Sequence, residues 1–382
     1  EDDGAPPADG GVSSEEGTDK KEKAPEAGKE EAVKEAGGKE EVHRKPSDES
    51  RSSRSGKKGA EKGKDGQTPA PNEKNDNLPE KMMSELAFSG TDSKEVSPAV
   101  IQGLVQIMRE SRQEKRKKAT IAMCNLCCES SVNRANAGAA GAVPVLIEMM
   151  QDSNPDLQIQ RLATACICNL SADPPLKDAI AQGGAIPHLS KLLDTNEDSV
   201  DARAATAHAA ATLWSLCVDM EHIKPMVAQP HTLKALLKQL RSPESFVRGQ
   251  ACGCVGEVCI GNKKIKGQLS ELGVIPALME LLDETEPATQ RLAASALCNL
   301  SANHDENKKL SRQAGLLDAL VRLLKATSDE AVQSAAAGGL YNLVSSADRE
   351  KLQSLGVIDL LQKVPISRNI NVRLGIKDKK EK

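Results

Sequence analysis

Apolar and polar positions come in blocks along residues 95–376, and the blocks return with a single period. In one copy, Gly184-Ala185-Ile186-Pro187-His188-Leu189-Ser190-Lys191-Leu192-Leu193 carries apolar residues at i, i+3 and i+4, which predicts an amphipathic helix opened near Pro187. Asp194-Thr195-Asn196-Glu197-Asp198-Ser199 follows as a polar turn rich in residues that cap helix starts. A small-residue stretch from about Val200 to Cys217, with alanine along one side, predicts a longer helix. Upstream, Leu176-Lys177-Asp178-Ala179-Ile180 predicts a short one. It should end at Gly183-Gly184, because glycine takes the left-handed cap at no steric cost. The unit is therefore three helices.

Two landmarks keep the period. The entry glycines are Gly141, Gly184, Gly273, Gly315 and Gly356, with His231 in the glycine slot of one odd copy, 41 to 47 residues apart. The exits are Asn125-Leu126-Cys127, Asn169-Leu170-Ser171, Asn299-Leu300-Ser301 and Asn342-Leu343-Val344, with Ser215-Leu216-Cys217 and Glu257-Val258-Cys259 between them, 42 to 46 residues apart. Asn154-Pro155, Ser242-Pro243 and Glu286-Pro287 should start third helices, and Pro144 and Pro276 second helices. Such a triplet is apolar on both sides of its layer. It needs a neighbour above and below, so the copies should stack into a solenoid.

Composition divides the chain. Residues 1–80 contain no aromatic residue and only Leu78 as leucine, so they should form a disordered, charged, low-complexity tail. Residues 95–376 should form an array of about six repeats with a partial C-terminal cap, whose third-helix slot holds only the basic stretch 368–382. Residues 377–382 make a basic end. The whole chain has only Phe88, Phe246, Trp214 and Tyr341 as aromatics, so the core must be aliphatic. A net charge of −4, with the excess acid in the tail, argues against nucleic acid as a partner. No apolar run is long enough to span a membrane.

Catalysis is not expected. The histidines form no nucleophile–base or metal-ligand pattern, and no glycine-rich loop follows a strand. All ten cysteines fall in the small-residue helices; Cys166 and Cys168, or Cys252 and Cys254, point in different directions at i, i+2. Structural thiols in a reducing compartment are the expectation, with no metal and no cofactor.

Gly273-Val274-Ile275-Pro276-Ala277-Leu278, followed by Arg291-Leu292-Ala293-Ala294-Ser295-Ala296-Leu297-Cys298-Asn299-Leu300-Ser301, resembles the armadillo repeat, and the resemblance covers about residues 95–376. It implies an all-α fold, a right-handed α-solenoid whose third helices line a concave groove. By motif match, Asn125, Asn169, Asn299 and Asn342 would contact the backbone of an extended peptide there, since an amide both donates and accepts. The alternative is that each asparagine caps its own helix. Ser215 and Glu257 interrupt the ladder.

The importin-alpha branch places tryptophan one turn before the asparagine. Here those slots hold Ile121, Ala165, Ala211, Gly253, Ser295 and Gly338, so that branch is disfavoured, and Trp214 reads as local packing. Lys117, Lys118, Arg161 and Arg291 lie two turns back and, if they face the groove, favour an acidic, extended ligand. As flank residues they would simply be solvated. The expected function is a non-catalytic adaptor in the cytoplasm, with the nucleus as a second compartment on the weak basic pairs Arg44-Lys45 and Lys57-Lys58. The alternatives are a regulator of heat-shock chaperone nucleotide exchange and the substrate-binding module of a ubiquitin ligase.

Overall fold

The structure is a computed structural model that describes residues 95–110, 112–151, 156–361 and 374. The 1–80 tail, the 377–382 end, most of the 368–382 stretch and the Asn154-Pro155 turn lie outside them.

Helices α1 (Pro98–Glu110) and α2 (Gln113–Glu129) open the array. Triplets follow: α3 (Ser131–Ala139), α4 (Ala142–Gln151), α5 (Leu157–Ser171); α6 (Pro174–Gln182), α7 (Ala185–Leu193), α8 (Val200–Cys217); and α9 (Lys224–Val227), α10 (Pro230–Gln239), α11 (Ser245–Val258). Two more are α12 (Lys263–Glu271), α13 (Val274–Glu280), α14 (Pro287–Ser301) and α15 (Asp305–Gln313), α16 (Leu316–Ala326), α17 (Glu330–Leu343). Helices α18 (Arg349–Ser354) and α19 (Ile358–Leu361) close the described part, which contains no strand.

The entry glycines have φ between +66° and +87° at Gly141, Gly184, Gly273, Gly315 and Gly356. A Cβ at any of them would meet nothing within 4 Å, so it is the left-handed backbone and not crowding that asks for glycine. The second helices begin directly after Gly141, Gly184, Gly273 and Gly315, so Pro144, Pro187 and Pro276 sit third in their helices and do not open them. The position costs nothing, because the first turn's N–H groups have no intrahelical acceptor. The odd copy solves its entry differently: Pro230 occupies the first turn of α10, with His231 behind it. Pro243 lies just outside α11, whose cap is Glu244, whereas Pro287 starts α14 as expected.

Successive third helices, α2, α5, α8, α11, α14 and α17, pack on one another, and first and second helices cover them. Alanines carry that contact: Ala163, Ala209, Ala251, Ala293 and Ala336 are buried. Gly256 brings backbones closest, since a Cβ there would stand 3.2 Å from the Ala296 Cα. The core is continuous from α1 to α19 and aliphatic throughout, as the near absence of aromatics requires.

Candidate functional site

The exit asparagines sit half-buried near the ends of the third helices. Nδ2 of Asn169 donates to the carbonyl oxygen of Cys124 at 3.0 Å, that of Asn299 to Gly256 at 3.1 Å, and that of Asn342 to Cys298 at 3.0 Å. Each acceptor immediately precedes the exit residue of the preceding repeat. The amides therefore do not cap their own helices; they tie each third helix to the one before it. One N–H of each is engaged in that tie. The same nitrogens of Asn169 and Asn342 also reach the Sγ atoms of Cys124 at 3.3 Å and Cys298 at 3.2 Å. The side-chain oxygens of Asn169, Asn299 and Asn342 accept no protein hydrogen bond among the described residues. Asn125 holds the corresponding place on α2.

The two interruptions differ from each other. Ser215 keeps a tie, its hydroxyl donating to the Ser171 carbonyl at 2.9 Å. Glu257 instead turns to its own repeat's first helix and pairs with Lys224 at 3.2 Å. Lys224 is 2% exposed and reaches Glu221 at 2.7 Å as well, so the carboxylates neutralise a cation that the core would otherwise reject. Trp214 packs across the gap: a Cβ at Gly253 would stand 2.5 Å from its indole ring. The slot that lacks the ladder tryptophan is thus filled from the neighbouring repeat.

The basic residues of the third helices are engaged by acids at the start of the next one. Lys117 meets Asp156 at 2.7 Å, Arg161 meets Asp201 at 2.6 Å, Arg203 meets Glu244 at 3.3 Å and Arg248 meets Glu284 at 2.8 Å. Asp156 also caps α5, accepting from the N–H groups of Gln158 and Ile159. Hydrogen bonds from Lys117 and these amides hold its carboxyl below the usual carboxylate range. Lys117 and Arg161 are therefore not open charges on the face. Lys118 and Arg291 are half-buried at their helix starts.

Cations on the first helices form a feature the sequence reading missed. Lys177 donates to the Val218 carbonyl at 2.8 Å, Lys266 to those of Asn299 at 2.5 Å and Ala302 at 2.6 Å, and Arg312 to that of Leu343 at 2.7 Å. Each answers the unpaired carbonyls and the negative dipole end of its repeat's third helix. The signal was a cation at the fourth residue of a first helix, Lys177 in α6 and Lys266 in α12, but it is one polar residue among several.

The thiols and the histidine near the ladder are held neutral. Burial pushes the Cys124 thiol up to about 12 and those of Cys168 and Cys298 up to about 11. Burial, with Arg161 nearby, lowers His208 to about 4. Among the described residues no three His, Cys, Asp or Glu side chains are grouped to hold a metal, and no helix is long and apolar enough to cross a membrane.

Residues 130–172, 262–302 and 304–345 match the family model of the armadillo/beta-catenin-like repeat. No curated protein matches the chain. Among solved structures, an engineered protein is similar at 22% identity and a TM-score of 0.65, over 77% of this chain and 71% of its own. Computationally designed armadillo repeat proteins for modular peptide recognition are similar at 23% identity and a TM-score of 0.57, over 64% of this chain and 100% of theirs. A designed armadillo repeat protein in complex with the peptide (KR)4 is similar at 21% identity and a TM-score of 0.58, over 64% of this chain and 99% of its own. Six third helices stack in series, exit-residue ties join them at four of the five contacts, and residues 130–172, 262–302 and 304–345 are armadillo/beta-catenin-like repeats within that array.

Proposed function

We propose that the chain is a non-catalytic adaptor that holds an extended partner segment along its third helices, with Asn125, Asn169, Asn299 and Asn342 contacting the partner's backbone. The observation that carries this reading is the tie between repeats. Donation to the preceding carbonyl fixes the amides of Asn169, Asn299 and Asn342, so their side-chain oxygens stand oriented before a ligand arrives. That a designed armadillo repeat protein of similar fold is in complex with the peptide (KR)4 supports peptide binding as the use of such an array.

The ligand's charge matters less in this proposal than its backbone. Lys117 and Arg161 already hold acids, so they are not open to an acidic segment. Recognition should cover two stretches, one at Asn125 and Asn169 and one at Asn299 and Asn342, separated by Ser215 and Glu257.

The test is a selection of random linear peptides on the full chain, followed by affinities for wild type and for Asn169→Ser with Asn299→Ser. Serine is chosen because Ser215 keeps a tie to the preceding repeat. A loss of tenfold or more with an unchanged melting curve supports the proposal. Equal affinity for both proteins would remove the ladder from the site.

A further inference from the structure

One rung of the ladder changes its chemistry. At Asn125, Asn169, Asn299 and Asn342 the exit residue is an amide and at Ser215 a hydroxyl, groups that both donate and accept. Glu257 holds the same slot on α11, and an ionised carboxylate only accepts. Its side chain is 19% exposed, so it is neither lost in the core nor fully in water. One oxygen pairs with Lys224; the other has no protein partner among the described residues.

The charge at this rung is short of compensation. In the two flanking repeats a first-helix lysine answers backbone carbonyls at the end of its own third helix, Lys177 at Val218 and Lys266 at Asn299 and Ala302. Lys224 belongs to the first helix of the odd copy, but it is shared between two carboxylates, Glu221 at 2.7 Å and Glu257 at 3.2 Å. It is the one cation within ion-pair distance of Glu257 among the described residues; Lys263 and Lys264, beyond the turn that leaves α11, are exposed and make no ion pair there. Burial raises the Glu257 carboxyl above its usual range, Lys224 acts against this, and Asp219 and Glu221 add to the rise.

An aromatic wall stands beside the carboxylate. The half-buried indole of Trp214 lies against Gly253, and Gly253 is one turn, about 6 Å, before Glu257 on α11. A cation is drawn to both: its apolar stem packs on the ring and its head reaches the oxygens. An acidic side chain would instead meet Asp219, Glu221 and Glu257.

We propose that Glu257, with Trp214, is a specificity position of the groove, which takes a lysine or arginine side chain of the partner segment between the two asparagine stretches. The inference rests on the adaptor reading and adds one side-chain requirement to its backbone contacts.

The test repeats the selection of random linear peptides on the full chain and on Glu257→Gln. Glutamine keeps an acceptor for Lys224, which also retains Glu221, and a melting curve checks the fold. Peptides from the wild type should share one position enriched in lysine or arginine. Norleucine there should weaken the tightest peptide roughly tenfold, as the loss of a charge-assisted hydrogen bond does. On Glu257→Gln the enrichment should vanish, and the lysine and norleucine peptides should bind alike. The wild type alone gives a second reading, because the advantage of lysine over norleucine should shrink as salt is raised. Peptides that need Asn169 and Asn299 but show no basic position, a lysine preference that survives Glu257→Gln, or one indifferent to salt would overturn this inference and leave the adaptor reading standing. A selection that returns no peptide, or only peptides indifferent to the asparagine changes, would overturn both.

Discussion

The indole of Trp214 occupies the space that a side chain at Gly253 would fill, one repeat further on, for a Cβ there would stand only 2.5 Å from the ring. Sole tryptophan and glycine are therefore one packing unit joining α8 to α11. Gly253→Ala gains about 1 kcal/mol of helix propensity, but it must displace a large, half-buried ring held between two repeats. The net expectation is a loss of roughly 1–2 kcal/mol, read as a lower denaturant midpoint and a shift in tryptophan emission. Adding Trp214→Phe should recover part of that loss, because the smaller ring leaves room. An undiminished midpoint for Gly253→Ala alone would mean the contact is not a constraint.

The tie from Asn299 to the Gly256 carbonyl predicts a graded response at the α11–α14 contact. Asn299→Ala removes one half-buried hydrogen bond, worth about 1 kcal/mol. Asn299→Ser should cost less, on the precedent of Ser215 and the Ser171 carbonyl. Urea titrations of the two variants would decide it. Identical midpoints for serine and alanine would show that the serine precedent does not transfer between repeats.

Backbone demands were legible in the sequence, and side chain-to-backbone links were not. Gly141, Gly184, Gly273, Gly315 and Gly356 mark left-handed entries because few other residues accept that φ, so conformation wrote itself into residue type. The third helices showed through their alanines, since close contact needs small side chains. The tie from Asn169 to Cys124 left no such mark, for its acceptor is a peptide carbonyl that every residue owns. The same holds for Lys266 on the end of α14. Lys117 and Arg161 were visible as bases, but Asp156 and Asp201, 39 and 40 residues on, became their partners only once neighbouring repeats were laid side by side.

His208 gives the array a pH dependence. Burial holds its folded pKa at about 4, against an ordinary value of about 6.5 in the unfolded chain. The unfolded state therefore binds the proton more readily. Stability is fully present above pH 6.5 and is lost as pH falls from there toward 4. The full loss would approach about 3 kcal/mol. His208→Gln should flatten the fall in unfolding free energy between pH 7 and pH 4.5. A variant with the wild-type slope would assign the acid sensitivity to other groups.

Thiol reactivity should follow burial along the array. Burial raises Cys124, Cys127, Cys252 and Cys259 to about 12, so at pH 8 they are almost wholly protonated and also shielded. Cys128 alone among the ten is exposed. Its thiol is raised as well, by partial burial and by Glu129, so it should label more slowly than a free thiol but well ahead of the rest. Maleimide labelling followed by intact mass should give one early adduct, absent in Cys128→Ser, and the remaining nine only after denaturation. Early labelling at Cys124, Cys168 or Cys298, the half-buried thiols on the ladder face, would mean that the third helices open locally without global unfolding. The site proposed for the partner backbone would then be a mobile surface and not the preformed one on which the adaptor reading depends.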